Sequence, residues 1–141
     1  MPTMTQFHHF KSAKFPILPG EDDELVNEGM YGKSLAEYLR RELVARGYEA
    51  PFVCCEDWGW WVELKGVPFA FGVCVYSGDR ESELVEYCCT DNLHGDRKWS
   101  WRKFSFIDTR PHREKLRADL IAIFEADPEI EYLGAKDEFP F

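Results

Sequence analysis

The sequence predicts an α+β chain, a two-layer sandwich in which an antiparallel meander of four to five strands carries two helices on one face. Three observations lead to it. Apolar residues recur at helical spacing near residues 34–46, the period changes to two from Pro51 to about Phe106, and a helical stripe returns from Pro111 to Ala126. The length of 141 residues suits one domain. Its expected parts are an irregular segment over 1–30, a compact core over 31–133 and a tail over 134–141.

The first helix is read over 34–46. Ser34 and Glu37 have capping-box spacing, Leu35, Leu39 and Leu43 form one stripe, and Gly47 provides the stop. Before it, a strand is expected near Phe7 to Phe15, and the acid run Glu21-Asp22-Asp23-Glu24 is read as a solvated loop. In the second helix, Leu116, Leu120, Ile123 and Phe124 share a face, Pro111 suits the first turn and Pro128 ends it. Residues 129–133 are expected to form a short edge strand.

Within the meander, Trp58, Trp60, Val62 and Leu64 alternate on one side, and Phe69, Phe71, Val73 and Val75 alternate on the return strand. Taking Lys65-Gly66 as a two-residue turn sets Leu64 opposite Val67, Val62 opposite Phe69, Trp60 opposite Phe71 and Trp58 opposite Val73, all apolar pairs. On the other face this register sets Trp61 opposite Ala70, Gly59 opposite Gly72 and Asp57 opposite Cys74. Facing glycines would leave a shallow trough with Trp61 as a wall, Asp57 and Glu63 at its ends, and Glu86 or Leu84 added by the next strand. The alternative is that the glycines admit a close backbone or mark a bulge. A third strand is expected over about 82–90 and a fourth over about 99–107.

Charge narrows the partners. Lys and Arg number 17 against 26 Asp and Glu, a net of −9, which disfavours nucleic acid and anionic membranes by long-range repulsion. No apolar run is long enough to span a bilayer and the first ten residues lack a secretion signal, so a cytoplasmic protein is expected. The charge is polarised: from Arg97 to Arg117 eight basic residues face Asp108 and Glu114, a net of +6 that leaves −15 elsewhere. That strip either orients a docking partner or pairs internally with Glu81, Glu83 and Glu86.

No catalytic motif stands out. Glu56 and Asp57 are consecutive, so on a strand they point to opposite faces and cannot flank one bond. Gly32-Lys33-Ser34 resembles the end of a phosphate loop, but Asn27 occupies the position where that loop needs glycine, leaving a helix cap. The five cysteines, placed as Cys54-Cys55, Cys74 and Cys88-Cys89, contain no CxxC pair and are read as reduced thiols. His8, His9, His94 and His112 have no metal-site spacing. No cofactor or metal is expected.

The order Tyr31-Gly32-Lys33-Ser34 opening a helix, then Glu56-Asp57-Trp58-Gly59-Trp60 opening a hairpin, then a terminal helix, resembles a family of small bacterial proteins of unassigned function. The resemblance spans most of residues 31–127; it implies a fold and transfers no catalytic residue. In general character, acidic, α+β and aromatic-rich, the chain is also similar to bacterial toxin-immunity proteins, which cover a toxic enzyme. The first expectation is therefore a non-catalytic protein-binding module, an acidic immunity-type inhibitor of a basic effector or toxin. The second is a small-molecule-binding protein or minor enzyme using the trough or a pocket between sheet and helices, with Asp57, Glu63 and an arginine such as Arg102 as polar anchors. The third is a homodimer joined through the trough face or an edge strand. The expected contact residues are Asp57, Gly59, Trp61, Glu63, Gly72, Glu86 and Arg102.

Overall fold

A computed structural model describes residues 6–141. Residues 1–5, part of the segment read as irregular, lie outside the described residues. Two helices, α1 (Lys33–Ala45) and α2 (Arg110–Ala126), accompany strands β1 (Phe7–Ser12), β2 (Val53–Cys55), β3 (Trp60–Leu64), β4 (Phe71–Ser77), β5 (Val85–Asp91), β6 (Arg97–Ser100), β7 (Ser105–Asp108) and β8 (Ile130–Lys136). The fold is α+β. Six strands form an antiparallel sheet in the order β2-β3-β4-β5-β1-β8, and β6 and β7 form a separate two-stranded hairpin.

Alternation drives the core. Trp60, Val62 and Leu64 of β3, Val73 and Val75 of β4, and Phe10 of β1 turn inward with the stripes Leu35, Leu39, Leu43 and Leu116, Leu120, Phe124 of the helices. Helix α1 packs on β2 and β3, and α2 on β1 and β8. The Tyr48 hydroxyl donates to the Asp119 carboxylate at 2.6 Å, joining the end of α1 to α2.

Three expectations change. The meander holds from β2 to β5, but β1, taken from the segment read as mostly irregular, inserts between β5 and β8, so the sheet has six strands. Phe10 explains this: its ring stacks on Tyr87 and Phe124 at 5.5 and 4.3 Å, so the strand carries a core residue of its own. The strand expected over 99–107 instead doubles back at Trp101–Phe104. The tail is not loose throughout, because β8 runs to Lys136 and the Phe139 ring packs edge-on against Phe7 and Tyr76 at 6.0 and 5.2 Å.

The β3–β4 register is also offset. Leu64 faces Phe71 rather than Val67, Val62 faces Val73 and Trp60 faces Val75, a slip of four residues. Pro68 supplies the reason: in the expected register it would sit within the return strand, where it has no N–H for the ladder. The chain loops over 65–70 instead, and the Asn92 side chain accepts from the Gly72 N–H and donates to the Ala70 carbonyl. Because the slip is even, the inward and outward faces keep their identity. Trp58 alone changes side, since the bend over 57–59, closed by the Glu56 N–H donating to the Gly59 carbonyl at 2.7 Å, interrupts the alternation.

The acid run is not simply solvated. Glu21 is buried, and its carboxylate accepts from the N–H groups of Leu18, Gly32 and Lys33 at 2.9, 2.9 and 3.1 Å. A remote carboxylate therefore closes the N-terminus of α1, where the helix dipole favours negative charge, and the Ser34/Glu37 box does not start the helix. Glu21→Ala is expected to lower stability by about 2 kcal/mol in chemical denaturation, because it strands buried donors. Asp23→Ala, at an exposed position of the same run, is expected to change it by less than about 0.5 kcal/mol.

His8 sits at 2% exposure in β1, with Nδ1 3.0 Å from the Tyr132 hydroxyl. Burial, with a smaller contribution from the Arg117 charge, pushes its pKa from 6.5 down to about 4. The unfolded chain therefore binds a proton that the folded chain refuses between those values, so stability falls as pH drops from 6.5 towards 4. Denaturation midpoints measured from pH 7 to pH 4.5 are expected to show a loss of about 2 kcal/mol from this residue, with a shallower slope in His8→Phe.

Candidate functional site

The most unusual feature is the β6–β7 arm. Its ladder pairs Arg97 with Asp108, Lys98 with Ile107, Trp99 with Phe106 and Ser100 with Ser105, so Arg97, Trp99 and Phe106 share one face. Trp99 is the hub: its ring meets those of Trp101, Phe104 and Phe106 edge-on at 5.6, 5.3 and 5.1 Å. The Arg97 guanidinium lies 4.6 Å over the Phe106 ring. The rings cluster with each other and not with the core. Trp101 is 80% exposed and Phe104 73%, with Phe106 also exposed. Single exposed apolar residues are ordinary, whereas a contiguous set of large rings marks a contact surface.

The arm is anchored at its root. The Thr109 N–H donates to the Asp96 carbonyl at 2.7 Å, and its hydroxyl to the Gly95 carbonyl at 3.0 Å. Arg113, at 0% exposure on α2, donates through Nη1 to the same Gly95 carbonyl at 3.0 Å and through Nε to the Asp91 carboxylate at 3.3 Å. Asp91 in turn accepts from the Leu93 N–H at 2.8 Å. The end of β5, the loop over 92–96 and the start of α2 are thus tied together where the arm begins.

The basic strip does not neutralise itself on the expected partners. Glu86 is engaged by His9 at 3.1 Å and Lys11 at 3.9 Å, Arg110 pairs with Asp108 at 3.0 Å, and Lys115 with Asp119 at 2.9 Å. Among the described residues, no ion pair holds Lys98, Arg102 or Lys103, which ride on the arm.

The outer face of the sheet differs from the expected trough. Glu63, not Gly59, faces Gly72, and Trp61 faces Cys74. The Trp61 indole spreads over Gly72, where an added Cβ would fall 2.4 Å from the ring. Gly59 lies against the Val75 carbonyl, 2.4 Å from where its Cβ would be, so both glycines serve close approach. Asp57 sits on the exposed bend, its carbonyl accepting from the Asn27 side chain at 2.7 Å. Glu63 accepts from the Trp61 indole N–H at 2.8 Å and pairs with Lys65 at 2.9 Å. Glu86 lies four residues along β5 from Thr90, the residue in line with Trp61, and Arg102 is on the arm's tip. Of the seven expected residues, the structure brings together only Trp61, Glu63 and Gly72.

A cleft of about 340 Å³ does open on that face beside Trp61, lined also by Trp58, Tyr76, Phe7, Cys74, residues 90–92 and His94. Its thiol is inert: burial pushes Cys74 up to about 12, and Cys88 likewise. All five cysteines are free. Among the described residues, no His, Cys, Asp and Glu cluster could hold a metal, and no helix is long and apolar enough to cross a membrane.

The fold and the site thus define an α+β chain with a projecting aromatic arm. No family model matches the chain, and none of the curated proteins or solved structures compared with it matches.

Removing the root cation leaves a buried carboxylate without its partner. Arg113→Met is expected to cost about 3–5 kcal/mol in urea denaturation, and Arg113→Met combined with Asp91→Leu to recover part of that loss.

Proposed function

We propose that the chain is a non-catalytic protein-binding module, an acidic immunity-type inhibitor whose arm is the contact element. The observation that carries this reading is the cluster of exposed rings Trp101, Phe104 and Phe106 on a hairpin with an anchored root. Large aromatic anchors dominate protein interfaces because each buries much area with few rotatable bonds. A rigid root lowers the entropy lost on docking.

Charge supplies the rest. With −15 outside the strip, the body attracts a basic effector at long range, and the cations of the arm set the docking angle because they are repelled from that effector's most basic face. The expected contact surface therefore moves from the trough to the arm.

The test is binding to the product of a neighbouring reading frame, measured by light scattering and stopped-flow kinetics. A one-to-one complex is expected, with an association rate that falls about tenfold between low and high salt. Trp101→Ala with Phe104→Ala is expected to weaken it at least about a hundredfold while leaving the thermal midpoint unchanged. Undiminished binding by that double variant would remove the arm from the interface, and a dimeric mass for the free chain would favour self-association instead.

A further inference from the structure

We infer that the outer-face cleft is an aromatic box for a quaternary ammonium group, a site separate from the arm and independent of its role. The cleft is framed by rings at different inclinations. Trp58 and Trp61 stand at 90° with centroids 6.5 Å apart, and Tyr76 is tilted 48° to Trp58 at 5.4 Å. Rings at such inclinations line the cleft from different directions, so that a cation held among them would meet more than one ring quadrupole. The volume of about 340 Å³ falls in the range of small-ligand sites.

The polar groups of the cleft decide the ligand class. The Thr90 hydroxyl donates to the Gln6 carbonyl, the Asn92 amide is taken by Gly72 and Ala70, and the Asp91 carboxylate is taken by Arg113 and Leu93. These groups are committed to the protein and leave the His94 imidazole and the Tyr76 hydroxyl as the remaining polar groups of the lining, so a ligand that needs several hydrogen bonds finds few. A primary ammonium carries three donors and would lose its hydration without replacement. An anion meets no lysine or arginine on the lining and is repelled by the negative chain. A methylated ammonium asks for no hydrogen bonds and is weakly hydrated. Glu63 strengthens the case: its carboxylate, accepting from the Trp61 indole N–H at 2.8 Å, pushes electron density into the ring that would face the cation.

The trimethylammonium group has two sources, a free small amine or a methylated lysine side chain, and the box reads the chemistry they share. The test uses intrinsic tryptophan fluorescence and NMR titration of the whole chain with choline, with the neutral tert-butyl analogue of choline and with a trimethyllysine peptide. Saturable choline binding about tenfold tighter than that of the neutral analogue is expected. A peptide that binds tighter than choline assigns the cation to a side chain, and the reverse assigns it to a free amine. Trp58→Leu is expected to weaken binding about tenfold, whereas Trp101→Ala on the arm leaves it unchanged. Equal binding of choline and its neutral analogue would overturn the inference by showing a merely apolar cleft, and so would the absence of saturable binding by either. Both comparisons are made on the unaltered chain, so they hold even where Trp58→Leu fails to fold.

Discussion

The buried pair of Arg113 and Asp91 is the constraint on which the placement of the arm depends. Arg113 reaches from α2 to the end of β5 and to the Gly95 carbonyl, which fixes where the β6–β7 arm leaves the body. Asp91, on the other side of the same pair, lines the aromatic cleft. A guanidinium at 0% exposure is tolerated because its charge is met by a carboxylate, which takes Nε, while a carbonyl takes Nη1. Such a pair adds little net stability relative to apolar replacements, but it specifies geometry, since few other placements of the root satisfy both ions.

Projection of the arm follows from that geometry. A hairpin whose rings pack on one another around Trp99 needs no support from the sheet, and the sheet is already complete on the side that β5 presents to β1. Four strand residues on each side would be marginal alone. The ties from Thr109 and Arg113 to Gly95 supply what the short ladder lacks. The result is a polarised molecule, with four cations and one carboxylate on an aromatic arm and carboxylates in excess over the remainder.

Legibility varied with the range of the interaction. Both helices could be read because the stripes Leu35, Leu39, Leu43 and Leu116, Leu120, Phe124 are local patterns. The inward face of β3 and β4 could be read as well, since a slip of four residues preserves alternation. The slip itself turns on Pro68, a signal present in the chain whose missing N–H forbids the tight pairing. The trough failed with the register: once Glu63 faces Gly72, the two glycines no longer meet and the Trp61 ring fills the gap. For the arm a local signal did exist. Trp99, Trp101, Phe104 and Phe106 are interleaved with Lys98, Arg102 and Lys103 and no intervening core residue, a composition better suited to a surface hairpin than to a sheet strand.

By itself the sequence determined the α+β class, the helix faces, the inward side of the central strands and the division of charge, because each follows from residue period or composition. Only the tertiary structure decided that Phe7–Ser12 inserts between β5 and the edge strand β8, that Glu21 closes a helix eleven residues away, that Arg113 meets Asp91, and that Trp58 and Tyr76 join Trp61 around one cleft. Each of these depends on contacts between distant segments, whose selection rests on the packing of the whole core and leaves no periodic trace along the chain.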